Sequence, residues 1–227
     1  GGGSFGGGDQ FSRLDLSQLS DDMRVTVVED GVITVEPLDG SWPPVTFEEI
    51  DHIILGDGND IFDGSAGPGW VSVTAGNGTD TIIGSDRPDV GDRIFSAGFA
   101  RFEGGSEVWD GVGSTVILGG DGPDSLQGGL DDSLTGGAGA DQFSVWGYGA
   151  DGAGPAVITD FNPAEDVLEY SWVDPTDSEF EHDIVIQDGD DGLVIIDEGR
   201  VVVRVPGVTL ADNPTILAGE RSVNLPI

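Results

Sequence analysis

The sequence predicts an all-β chain wound as a parallel β-solenoid, flanked by antiparallel β-hairpins and closed by a C-terminal β cap. Three observations carry this. Glycine and aspartate recur at fixed offsets in nine-residue units. One large apolar residue follows the aspartate of each unit in phase. Helical signal is nearly absent, amounting to one turn at most around 210–218.

The units are clearest in the second half. Residues 119–127 (GGDGPDSLQ) and 136–144 (GGAGADQFS) fit G-G-x-G-x-D-x-U-x at every fixed position, with Leu126 and Phe143 as the apolar U. They supply Gly119, Gly120, Asp121, Gly122 and Asp124, then Gly137, Gly139 and Asp141. Between them GGLDDSLT (128–135) is one residue short and offers Asp131 and Asp132. Upstream, LGDGNDIFD (55–63) keeps Gly56, Gly58 and Asp60, and AGNGTDTII (75–83) keeps Gly76, Gly78 and Asp80. Intervening segments are decayed. DGVGSTVIL (110–118) has Thr115 for the aspartate, GSDRPD (84–89) retains Asp89, and GSAGPGWVS (64–72) has Gly69 in the aspartate position. Residues 90–109 barely follow the period, so a bulge or a loss of ions is expected there. A flexible Gly/Asp linker would not need inward residues that recur in phase.

Physically, GGxGxD makes a turn and x-U-x a very short strand in which only U points inward. Glycine allows positive φ and close approach of the neighbouring turn. Two units make one coil of ~18 residues, and turns two units apart stack ~4.8 Å from each other. Asp60 should then face Asp80, and Asp124 should face Asp141, across gaps lined by turn carbonyls. An all-oxygen cage of this kind suits calcium better than zinc or magnesium, and several ions are expected. Without ions the stacked carboxylates repel and the glycines favour the unfolded chain, so folding and binding should be coupled.

Composition narrows the function. The 227 residues carry 43 acids against 8 bases, all of them Arg, for a formal net charge of -35. A compact chain so unbalanced repels itself unless counter-ions bind, which disfavours nucleic acid and anionic membranes and favours divalent cations. No run of apolar residues approaches a membrane span. With no Cys, calcium would replace disulfides as the staple in an extracellular setting. The glycine-rich start has neither the basic region nor the apolar stretch of a secretory signal, so export uses another signal or the chain is a processed part of something longer.

Segment 119–168 resembles the end of an RTX (hemolysin-type) repeat array, whose closing phrase is matched by Ile158-Thr-Asp160-Phe161 and Asp166-Val-Leu168. The nonapeptide is that family's known calcium repeat. The resemblance implies a right-handed parallel β-roll, calcium as the ion, and a secreted or cell-surface setting. It also makes Asp160 either a ligand at the roll's exit or an ordinary turn aspartate, and it places Asp151 where a turn would stack on Asp132. Region 11–83 is similar to a module of large proteobacterial RTX proteins, and Gly6–Phe11 to the remnant of an earlier repeat. The expected organisation is an N-terminal lead and hairpin over 1–50, the roll over 51–160, and an antiparallel cap over 161–227. In the flanks, 25–28 and 32–35 form a hairpin, and 184–186, 193–196 and 201–205 form strands joined by turns. Asp188-Gly-Asp-Asp lacks an EF-hand's twelfth-position Glu, and a hairpin turn accounts for it better.

No catalytic constellation converges, and no enzyme is expected: His52 and His182 lie far apart without an HExxH, and His52 sits in a strand-like run. Asp174-Pro175 resembles the cleavage point of self-cleaving RTX neighbours without the residues around it. Three functions remain. They are a calcium-folded spacer of a secreted protein, a self-assembling or adhesive surface block, and a calcium-dependent polysaccharide binder using Trp70, Trp109, Trp146, Tyr148 and Trp172. Core packing is the alternative use of those aromatics.

Overall fold

The computed structural model describes residues 12–96, 101–103, 106–108, 113–147, 153–172 and 182–220, with 101–103 and 106–108 as backbone only. The chain alternates between two sheets, as expected of a parallel β-roll. The first sheet is parallel throughout and contains Arg13–Asp15, His52–Ile54, Ser72–Thr74, Arg93–Phe95, Ser125–Gly128, Gln142–Trp146, Val167–Trp172 and Thr215–Glu220. The second has a parallel centre of Met23–Val27, Ile61–Asp63, Thr81–Ile83, Val116–Asp121, Ser133–Ala138, Ala156–Ile158 and Arg200–Pro206.

The period-2 alternation fixes the register. Phe62, Ile82, Ile117, Leu134 and Ile158 form one inward rank, while Val73, Ile94, Leu126, Phe143 and Leu168 form the other; all ten are 0% exposed. A one-residue slip would turn a whole rank to solvent, so burial holds the register against turns of unequal length. Facing ranks make a single narrow core along the roll.

The parallel strands extend beyond 51–160. Arg13–Asp15 and Met23–Val27 pair in parallel with the coil that follows them. At the other end, Val167–Trp172 and Thr215–Glu220 pair in parallel, so 161–227 is only partly the antiparallel cap expected. Within the two main sheets, antiparallel pairing among the described residues is confined to the ends of the second. Ile33–Pro37 and Val45–Phe47 add to one end, and Gly192–Asp197 and Ile184–Asp188 to the other. The strands expected in both flanks are present; 214–218 is strand rather than helix, and the helical turn is 3-10 over Leu210–Asp212. The bulge expected in 90–109 is a small antiparallel hairpin, Arg101–Glu103 with Ser106–Val108, inserted in one turn.

Candidate metal centre

Two flanks of turns join the sheets. Forward turns lead from the first sheet to the second, and return turns lead back. On each flank, the residue just before the strand occupies one recurrent position. On the forward flank this position holds Met23, Asp60, Asp80, Thr115, Asp132 and Ala156. On the return flank it holds Ser12, Asp51, Val71, Asp92, Asp124, Asp141, Asp166 and Pro214.

Apart from exposed Asp51, which accepts Ser12 N–H at 2.8 Å, the aspartates of this position are at most 4% exposed and form hydrogen-bonded ladders. On the forward flank, Met23 N–H donates to Asp60 Oδ1, Asp60 N–H to Asp80 Oδ1, and Thr115 N–H to Asp132 Oδ1, each at 2.8 Å. The return flank is continuous from Asp92 to Asp166. Val71 and Asp92 N–H donate to Asp92 and Asp124 Oδ1 at 2.7 Å, and Asp124 and Asp141 N–H donate to Asp141 and Asp166 Oδ1 at 2.9 Å. The second oxygen often turns back to its own turn, as Asp132 Oδ2 does to Gly129 N–H at 2.6 Å and Asp166 Oδ2 to Asn162 N–H at 2.7 Å.

Glycine permits the stacking. Gly78 (φ 126°) and Gly137 (φ 101°) take backbone conformations that disfavour a side chain, and a Cβ on either would overlap the carbonyl oxygen of the glycine one coil earlier, Gly58 or Gly120. Gly58, Gly76, Gly119, Gly122 and Gly139 are likewise pressed against a neighbouring backbone or ladder carboxylate, as is Gly56.

These carboxylates are electrostatically costly. Burial pushes Asp80 and Asp124 up to about 7 and Asp141 up to about 6, and carboxylates of adjacent coils add to each rise. Burial raises Asp60, Asp92, Asp132 and Asp166 as well. The ion pairs among the described residues, Arg13–Asp15, His182–Asp197 and Arg204–Asp191, lie elsewhere. Buried Oδ2 atoms of Asp80 and Asp124 have no hydrogen-bond partner. Orphaned anionic oxygens in an oxygen-only setting fit a hard divalent cation of flexible coordination.

The structure brings together both aspartate pairs expected from the sequence, Asp60 with Asp80 and Asp124 with Asp141. Other positions differ. Asp92, not Asp89, holds the ladder position of its turn; Asp89 is exposed, because the turn runs three residues further before its strand begins. Val71, not Gly69, holds it in the preceding return turn. Asp166 completes the ladder, whereas exposed Asp160 accepts from Gly136 and Gly137 N–H at 2.9 and 2.8 Å. Asp121 is exposed, and exposed Asp131 (φ 71°) accepts from Gly154 N–H at 2.5 Å. Asp92 and Asp166 were identifiable as the aspartates of D-x-U-x, immediately before Ile94 and Leu168. Asp151, Gly111, Trp109, Tyr148, Asp174-Pro175 and Gly6–Phe11 lie outside the described residues.

The remaining aromatics do not share one face. Trp70 is exposed beside a cleft of about 160 Å³ lined by Val27, Ile33, Ile53 and Val71, while Trp146 and Trp172 are half-buried. Trp172 packs on His182, whose Nδ1 lies 2.8 Å from Asp197 Oδ1; Tyr170 O–H donates to Asp197 Oδ2 at 2.6 Å. His182, Asp197 and Glu198 are a His/Asp/Glu cluster apart from the ladders. His52 Nδ1 lies 2.7 Å from Ser72 Oγ across two strands of the first sheet, a structural contact.

The fold and site define a parallel β-roll whose flanks are glycine turns and buried aspartate ladders. The family model of the RTX calcium-binding nonapeptide repeat matches in four copies, over residues 48–71, 72–90 and 109–143, so the chain carries RTX repeats and contains a calcium-binding repeat domain. The matches omit the inserted hairpin and stop at Phe143, although the ladder continues to Asp166. No curated protein matches the chain. Among the described residues, no helix is long and apolar enough to cross a membrane.

Proposed function

We propose that the chain is a non-catalytic spacer domain of a secreted protein, unfolded at low calcium and folded by several calcium ions outside the cell. The ions sit between successive turns, held by the ladder aspartates. The carrying observation is the orphaned, buried Oδ2 of Asp80 and Asp124, in ladders that no basic side chain among the described residues neutralises. Burying an unpaired charge is unfavourable enough that a carboxylate normally takes up a proton or a partner instead. A bound divalent ion supplies that partner and, by binding only the folded chain, stabilises it. Composition supports the same reading, since an acidic, Cys-free chain stapled by ions suits a calcium-rich exterior.

Far-UV circular dichroism with calcium and with chelator, alongside calorimetric titration, tests this. Strand content that appears with calcium, together with binding of several ions, is expected. Equal strand content in chelator would overturn the coupling of folding to binding.

A further inference from the structure

We infer that the two flanks bind metal unequally, and that Thr115 is the residue that divides the forward flank. The inference rests on the proposed calcium binding between turns and assigns it gap by gap.

On the return flank, four aspartates follow one another without interruption, giving three consecutive gaps bounded by a ladder carboxylate on both sides: Asp92–Asp124, Asp124–Asp141 and Asp141–Asp166. The run ends at Val71 and Pro214, neither of which offers a side-chain oxygen. On the forward flank only Asp60–Asp80 is such a gap. Met23 bounds it on one side. On the other, Thr115 stands between Asp80 and Asp132, and Ala156 follows Asp132.

Thr115 keeps the backbone role of the position, since its N–H donates to Asp132 Oδ1 and it is 3% exposed. What it lacks is the anionic oxygen. A neutral hydroxyl leaves the gaps on both sides with one ladder carboxylate each, and calcium affinity is tuned by ligand charge. Asp80 borders this break, and its Oδ2 is one of the two orphaned ladder oxygens. The inserted hairpin, Arg101–Glu103 with Ser106–Val108, enters in the same forward turn, so the break in charge coincides with a break in turn length. The stacking of turns itself persists there, because Gly113 bridges to Gly78 and Ser114 N–H donates to Gly78 O at 3.1 Å. The forward flank therefore keeps the stacking of residues 113–115 on the preceding coil and lacks the carboxylate there, which makes the charge restorable by one substitution.

The test is calcium stoichiometry of the full chain by calorimetry, in the native sequence, in Thr115→Asp and in Asp124→Thr. Thr115→Asp joins Asp60, Asp80 and Asp132 into one run and should add up to two tightly bound ions. Asp124→Thr copies the break onto the return flank and should remove ions from the gaps on both sides of residue 124. Unchanged stoichiometry in Thr115→Asp, with calcium bound normally by the native chain, overturns the inference and leaves the proposed function standing. A native chain that binds no calcium overturns the proposed function itself. If Thr115→Asp does not fold in calcium, Asp124→Thr decides: loss of ions supports the inference and full retention overturns it.

Discussion

Asp141 Oδ1 accepts the backbone N–H of Asp124 at 2.9 Å, joining two buried carboxylates one coil apart, while Asp124 Oδ2 has no hydrogen-bond partner. The Asp124 side chain does two jobs, since its own Oδ1 accepts Asp92 N–H at 2.7 Å. Its first oxygen caps the preceding coil's amide, and its second is left for an ion. The consequences separate by substitution.

Asp124→Asn keeps a carbonyl oxygen to cap Asp92 N–H and removes the charge. Calcium binding should weaken, so the calcium-loaded chain should be less stable than the native one. Asp124→Ala also abandons a buried N–H, a loss of about 1–3 kcal/mol. Urea denaturation in saturating calcium should therefore rank the native residue above Asn and Asn above Ala. Equal stability of Asn and Ala variants would show that the cap contributes nothing.

Acid should favour the metal-free chain. Asp80 and Asp124 are raised to about 7 and Asp141 to about 6, above the ordinary value of 3.8. A raised carboxyl contributes stability that is fully present below the unfolded value and lost as pH climbs through the folded one. In chelator, stability should fall between about pH 4 and pH 7. In calcium the trend should reverse, because deprotonated carboxylates bind the ion. Metal-free stability that rises across this window would contradict the buried ladders.

The turn stack can be tested with glycine. Gly137→Ala puts a Cβ onto the Gly120 carbonyl at φ 101°, whereas Gly199→Ala at φ 76° meets nothing within 4 Å. Both incur left-handed strain of about 1–3 kcal/mol, and only Gly137→Ala should also raise the calcium concentration needed for folding. Equal effects in a calcium titration of strand content would remove the close approach as a cause.

The C-terminal meander has a fastening of its own. Tyr170 in the first sheet donates to Asp197 in the second at 2.6 Å, and Asp197 also meets His182. Tyr170→Phe should cost about 1–3 kcal/mol by leaving a buried carboxylate oxygen short of a donor, without altering calcium stoichiometry. A change in the number of ions bound would tie this cluster to the metal sites.

The repeats with complete glycine turns were legible in the sequence. Leu126, Phe143, Asp124 and Asp141 sit as their spacing requires, and so do Asp60 and Asp80. Counting from glycine failed where turn length changes. Asp92 and Asp166 are set by the strands that follow them, since burial of Ile94 and Leu168 holds the register while the turn before it varies. Counting therefore selected Asp89. The terminal coils were read as flanks for a related reason. Met23–Val27 and Thr215–Glu220 follow turns without the glycine-aspartate pattern, and their parallel partners lie far away in sequence. Burial of Asp197 beneath Tyr170 and His182 depends on contacts between sheets, which no local pattern encodes.

Amide hydrogen exchange at Asp124 and Asp141 reports most directly on whether ions hold the ladders together. With calcium, both N–H groups should be strongly protected, each capped by the aspartate of the next coil. With chelator at neutral pH, both should exchange as in an unstructured chain. Full protection at both amides without any divalent ion would contradict metal-held carboxylate ladders.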